Sequence, residues 1–201
     1  MNVLIVYTHP VKKSFNRAIL DAVSETLVTN GHEVRVADLY VENFQPAMIE
    51  ADFAQFENKP MPDDVLAEQA RIDWSDAMIF IFPYWWWSIP AMLKGWIDRV
   101  LTYGYAWVDP MRPDLSPLRA RKILVLTTAG ASLKALAKRG YDTAFETQLN
   151  TGVWSYCGFN NVVTRMYECV TSELPQSVLH GYIRDAQKQA LRLVSPVDPQ
   201  Q

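Results

Sequence analysis

Cysteine is scarce in this chain, with only Cys157 and Cys169 among 201 residues. That is too few for the disulfide framework of a small secreted scaffold, and no Cys-x-x-Cys or metal-ligand spacing is present. Both thiols are expected to be reduced and packed. No run of about 18 apolar residues occurs, so no membrane-spanning helix is expected. The opening stretch MNVLIVYTHP lacks the basic start and long apolar run of a signal peptide, which points to the cytoplasm. An excess of positive charge is also lacking. The net charge is −3, which argues against nucleic acid or an anionic membrane surface as a partner. Glycine is sparse at 8 residues, and neither a Walker A loop nor G-x-G-x-x-G occurs.

What is present is an ordinary globular composition, 49% hydrophobic and 20% charged, enriched in aromatics with 7 Trp and 9 Tyr. Large flat side chains suit a core, an interface or a planar ligand. The length favours one domain, read here as residues 1–195, with 196–201 as a frayed tail.

Apolar, β-branched runs mark strands over 2–7, 33–39, 76–83, 122–128 and 161–170. Helical patterns separate them. One is capped by Ser14 and ends at Gly31, and others cover 63–74, 143–157 and 176–193. A further helix, AMLKGWIDRVL, follows Pro90, where a first turn tolerates proline. The stretch 40–62 is polar, punctuated by proline and without a periodic signal. Five strands alternating with helices give an α/β fold with parallel strands and right-handed crossovers. The doubly wound five-stranded order 2-1-3-4-5 fits, with helices on both faces. Other five-stranded α/β orders fit the pattern as well.

In such a sheet, ligands collect beyond the carboxyl ends of the strands at the switch point, here between strands 1 and 3. The loop THPVKKSFN offers helix-start N–H groups, His9, Ser14, Asn16, Lys12 and Lys13 to a phosphate; it reads equally as a plain helix cap with exposed lysines. The loop TTAGAS carries Gly130, which lets backbone approach a flat ligand, or simply makes a tight turn. The loop PYWWWSIP holds Trp85, Trp86 and Trp87 in a row. Consecutive side chains point in different directions, so they cannot all enter one core. At the switch point they suit a flat ring system or a dimer interface.

Four motifs carry a resemblance. They are H-P-x-x-x-S-F-N-x-A (9–18), F-P-x-x-W-x-x-x-P-A-x-L-K-G-W-I-D-R-V (82–100), T-T-x-G (127–130) and Y-C-G-F (156–159). In order and spacing the chain resembles the flavodoxin-like NAD(P)H:quinone reductases, the DT-diaphorase group, and especially its short bacterial members. The resemblance covers residues 1 to about 185.

It implies a flavin, FAD with FMN as the alternative, and NAD(P)H as co-substrate. His9, Ser14, Phe15 and Asn16 would hold the flavin phosphates. Pro83, Tyr84, Trp85, Trp86 and Trp87 would lie along the isoalloxazine ring, and Thr127, Thr128, Ala129 and Gly130 would meet its polar edge. Trp86 and Trp87 would also border the substrate. Trp107, in the segment GYAW, would reach the partner's site across a homodimer. The implied reaction is ping-pong: a hydride from NAD(P)H to the flavin, then from the flavin to a quinone-like acceptor.

Departures from the family pattern single out other residues. Mammalian members place a tyrosine and a histidine after the threonine-glycine loop to stabilise the reduced cofactor. Here Arg139 falls at the histidine's position, Tyr141 lies nearby, and Ala129 replaces a glycine. Arg139 (or Lys138) and Tyr141 are therefore the catalytic candidates, set against a reading of KALAKRG as a solvated turn. Other functions compatible with the sequence are an azo- or nitroreductase, a flavin-bearing regulatory subunit of a potassium-efflux system, and an electron carrier like flavodoxin.

Overall fold

The computed structural model describes residues 1–57, 59–109, 111–159 and 161–195. The strands are β1 (Asn2–Tyr7), β2 (Glu33–Asp38), β3 (Ala77–Pro83), β4 (Lys122–Thr128) and β5 (Asn161–Tyr167). They form one sheet in the order β2-β1-β3-β4-β5, and every pairing is parallel. All seven residues of β3 are buried, as a central parallel strand covered on both faces requires. The edge strands β2 and β5 are half exposed.

Alternate side chains of one strand feed two cores. Leu4 and Val6 join Phe80, Phe82, Trp96 and Trp154 on one face. Val3 and Ile5 join Ile79, Ile81, Ile19, Val23, Ala186 and Ala190 on the other. The second face is covered by α1 (Phe15–Thr29) and α6 (Gln176–Val194). The first is covered by α2 (Asp63–Trp74), α3 (Ala91–Val100) and the segment after β4.

The helix expected over 143–157 is present as an unbroken helical run over 141–155, α-helical as α5 (Tyr141–Phe145) and π-helical over Glu146–Ser155. A separate short helix, α4 (Leu133–Ala137), precedes it and was not expected. The break between them falls at Gly140, which sits at φ +72, a conformation that ends one helix and turns into the next. β5 ends at Tyr167, short of the expected 170, because the chain turns at Cys169 with φ +54. Both cysteines are free, Cys157 buried and Cys169 partly so. The expected frayed tail, 196–201, lies outside the described residues.

The described part of the unpatterned stretch up to residue 57 is held by what it packs against. It contains a 3-10 helix, Glu50–Phe56. The Arg99 guanidinium in α3, 2% exposed, pairs with Asp52 at 2.9 Å and Asp64 at 2.6 Å. Its Nη1 also donates to Gln45 O at 2.8 Å. A Cβ at Gly95 would lie 2.1 Å from Pro46 O, so only glycine permits this approach.

Candidate active site

Parallel pairing of β1 with β3 and of β3 with β4 sets the ends of these strands side by side. The chain reverses its direction of travel across the sheet between β1 and β3, so the three expected loops converge at the switch point.

In the first loop Ser14 caps α1, its Oγ accepting from Arg17 N–H at 3.2 Å. Among the described residues, the backbone N–H groups of Lys12, Lys13, Ser14, Phe15 and Asn16 donate to no protein acceptor. A row of unpaired amides at the start of a long helix is a cradle for a phosphate group. His9 Nδ1 accepts from Val11 N–H at 3.0 Å, which places the proton of the neutral ring on Nε2, as a donor. Burial holds the His9 pKa below the ordinary histidine value. Phe15 is half-buried against Tyr182 of α6, ring centroids 6.4 Å apart.

The Asn16 side chain has a partner within the protein. It is 3% exposed and its Nδ2 donates to Thr128 Oγ1 at 3.1 Å. The amide side chain ties the first loop to the third, and only the Asn16 N–H is left for a ligand.

The second loop is a tight hairpin. Trp85 N–H donates to Ser88 O at 3.1 Å and Ser88 N–H to Trp85 O at 3.0 Å. Its central residues, Trp86 and Trp87, both lie in the left-handed region at φ +47 and +61. Such a turn prefers Asn-Gly, and a left-handed non-glycine residue costs roughly 1–2 kcal/mol. Strain of this kind persists where surrounding contacts over-determine it. The indoles diverge. Trp85 approaches His9, centroids 5.8 Å apart. Trp86 is 91% exposed. Trp87 stacks on Tyr141 at 4.4 Å and 13°.

In the third loop, Ala129 N–H donates to Tyr167 O at 2.8 Å and Ala129 O accepts from Val170 N–H at 2.9 Å. Thr128 O accepts from Tyr84 N–H at 2.8 Å. These backbone groups are committed to the protein. A Cβ at Gly130 would meet nothing within 4 Å, so Gly130 faces open space. The Thr127 hydroxyl is buried and has no partner among the described residues. The Thr127–Gly130 loop therefore offers a ligand the amide of Gly130, not its whole backbone.

Of the catalytic candidates, Tyr141 is brought to the site by its stack on Trp87. Arg139 is exposed and turned back along its own turn, Nη1 donating to Ala135 O at 3.3 Å. Trp107 lies elsewhere, in a row of rings. Its centroid is 5.0 Å from Tyr103 and 5.7 Å from Tyr156, and Tyr103 stacks on Phe56 at 6.1 Å. Tyr84 and Pro83 face inward. Tyr84 is 7% exposed and its hydroxyl donates to Tyr141 O at 3.1 Å. Phe145 packs in the same cluster, edge-on to Tyr84 at 5.0 Å, and the sequence reading did not single it out.

Residues 1–190 match the Flavodoxin_2 family, described as a flavodoxin-like fold. An NAD(P)H oxidoreductase of Haemophilus influenzae, named as uncharacterised, is 31% identical over 83% of each chain. The ribosyldihydronicotinamide dehydrogenase [quinone] of Rattus norvegicus is 33% identical over 78% of this chain and 77% of that one. This chain belongs to the flavodoxin-like NAD(P)H:quinone reductase family. The NAD(P)H:quinone oxidoreductase of Methanothermobacter marburgensis superposes on this family member with a TM-score of 0.87 at 31% identity, over 98% of both chains. An FMN-dependent NADH-azoreductase of Bacillus anthracis, bound to FMN, shares the fold alone, with a TM-score of 0.74 at 16% identity. Among the described residues of this family member, no helix is long and apolar enough to cross a membrane.

Proposed function

We propose that this protein is an oxidoreductase that reduces quinone-class acceptors with NAD(P)H through a flavin held at the C-terminal edge of the sheet. The observation that carries the proposal is the unpaired amide row over Lys12–Asn16, beside a strained, indole-bearing turn and the open approach to Gly130. A phosphate and a flat, polar-edged ring fit that donor set.

The bound flavin supplies the capacity to accept a hydride from one substrate and give it to the next. The protein's part is binding and orientation. The amides of residues 12–16, with His9 Nε2, take the phosphate charge. FAD is favoured over FMN by the S-F-N sequence of this loop. Gly130 and the N–H groups of Trp86 and Trp87, which donate to no protein acceptor among the described residues, would face the polar edge of the ring and stabilise negative charge there. Trp87 and Tyr141 form an apolar wall that excludes water and aligns a planar substrate. Arg139, exposed and screened by solvent, adds positive charge from further away. One pocket used in turn by both substrates gives ping-pong kinetics.

A homodimer completes the site. Phe53, Phe56, Tyr103 and Tyr156 are exposed and run together with Trp107 as one aromatic face. A second copy covering that face would bring Trp107 to its partner's pocket.

The test is an absorption spectrum of the purified protein, followed by chromatography of the released cofactor and steady-state kinetics with a quinone. Flavin bands and quinone-dependent NAD(P)H oxidation are expected. A protein that binds neither FAD nor FMN overturns the proposal. Three exposed or half-exposed indoles also suit azo dyes and nitroaromatics; relative kcat/KM values across the three acceptor classes rank these readings.

A further inference from the structure

We propose that Tyr84 is a positioning residue that fixes the width of the acceptor pocket, its hydroxyl locking the Gly140–Tyr141 turn and so the stack of Tyr141 on Trp87. The specificity consequence rests on the function proposed above. Position 84 is a free position in the F-P-x-x-W motif, so the device belongs to this chain's own sequence.

The stack joins two parts of the chain that are otherwise independent. Trp87 hangs from the hairpin after β3, and Tyr141 opens α5. Tyr84 ties both to the sheet. Its N–H donates to Thr128 O at 2.8 Å, which prolongs the β3–β4 pairing by one residue. Its ring packs edge-on against Phe145 of α5 at 5.0 Å and 86°, and against Trp87 at 6.4 Å and 66°. Its hydroxyl donates to Tyr141 O at 3.1 Å. Gly140 at φ +72 separates the five-residue α4 from the helical run over 141–155, and Tyr141 is the first residue of that run. The N–H groups of a first turn have no partner within their own helix, so that turn is the part its helix holds least. The Tyr84 hydroxyl therefore supplies a fixed point that local structure does not. With Trp87 and Tyr141 held 13° from parallel, the wall they form is flat and of set width. A planar acceptor meets a prepared surface, and a bulky one must pry it open.

Tyr84→Phe is the test, since it keeps the ring and its contact with Phe145 and removes only the lock. In flavin-free protein the near-UV circular dichroism that Trp87 and Tyr141 generate, defined by subtraction of a Trp87→Leu variant, is expected to fall by about half or more. Acrylamide quenching attributable to Trp87 is expected to rise. In the loaded enzyme KM for a planar quinone is expected to rise about threefold to tenfold with kcat changed less than twofold, while a bulky acceptor gains relative to it. Gly140→Ala, which strains the same turn, is expected to give the same pattern.

Unchanged dichroism and quenching in Tyr84→Phe overturn the lock, and so does a loss seen in Gly140→Ala alone. An altered stack with an unchanged ratio of planar to bulky acceptors overturns the specificity role. If the protein binds no flavin, the function reading fails, and the flavin-free measurements still decide the lock.

Discussion

The Trp87 indole lies on the Tyr141 ring, centroids 4.4 Å apart and 13° from parallel, although 54 positions separate them in the chain. Truncating one partner should show in acceptor binding. Tyr141→Leu removes a stack worth about 0.5–1.5 kcal/mol beyond burial. The expected outcome is a KM for planar quinones raised roughly threefold to tenfold. Arg139→Ala, which alters an exposed charge, should slow cofactor reduction by less than about threefold. Stopped-flow half-reactions compare the two. A larger loss for Arg139 would make it the principal electrostatic group.

Trp86 sets stability against function. Its indole is 91% exposed, so it contributes little to packing, and its backbone is left-handed at φ +47. Trp86→Gly should relieve about 1 kcal/mol of strain. For a chain of this size the thermal midpoint should rise about 2–4 °C. The same variant should hold flavin or acceptor more weakly, because a flat surface at the switch point is lost. Calorimetry with cofactor titration reads both. A variant that is no more stable would show that the turn is not strained in solution.

Asn16 and Thr128 join the first and third loops from 112 positions apart. Asn16→Ala leaves the buried Thr128 hydroxyl without its partner, at a cost of about 1–3 kcal/mol. Denaturant unfolding should show that loss. Adding Thr128→Val should restore part of it, since removing both partners of a buried pair is less costly than removing one. Equal stability of the single and double variants would count against the pairing.

Arg99 ties together Gln45, Asp52 and Asp64. Arg99→Met leaves Asp52, which is fully buried, without its cation, and about 3–5 kcal/mol of stability should be lost. The Arg99–Asp64 contact carries a pH signature. The Arg99 hydrogen bond holds the Asp64 carboxyl below the usual carboxylate range. A depressed carboxylate stabilises the fold above its unfolded pKa, and that contribution fades as the pH falls through the folded value. Wild type should therefore begin acid unfolding at a lower pH than Arg99→Met. Since Asp64 is 47% exposed, solvent keeps its share of the difference small. Coincident acid transitions of the two proteins would deny the pair a role.

Much of the fold was legible because parallel strands buried on both faces must be continuous apolar runs. β1 and β4 begin and end at the residues expected from Asn2–Tyr7 and Lys122–Thr128. The 3-10 helix over Glu50–Phe56 was not legible, since Arg99 holds its Asp52 and Gly95 admits Pro46 just before it, both from another part of the chain. The short helix α4 before Gly140 and the π-helical form of Glu146–Ser155 were likewise hidden, because neither leaves a distinct apolar period in the sequence.

The sequence by itself determined the five strands, the parallel α/β class and the loops that follow each strand, because period and apolar runs are local properties; the order 2-1-3-4-5 was one of several that fitted, and the tertiary structure selected it. The sequence also marked the tryptophan run as unable to enter one core. The tertiary structure alone decided what each indole meets: Trp85 beside His9, Trp86 in solvent, Trp87 on Tyr141. It also set the Asn16 amide against Thr128 and pointed Tyr84 inward. Those outcomes depend on the approach of segments far apart in the chain, and the direction of a side chain is settled by its neighbours in space.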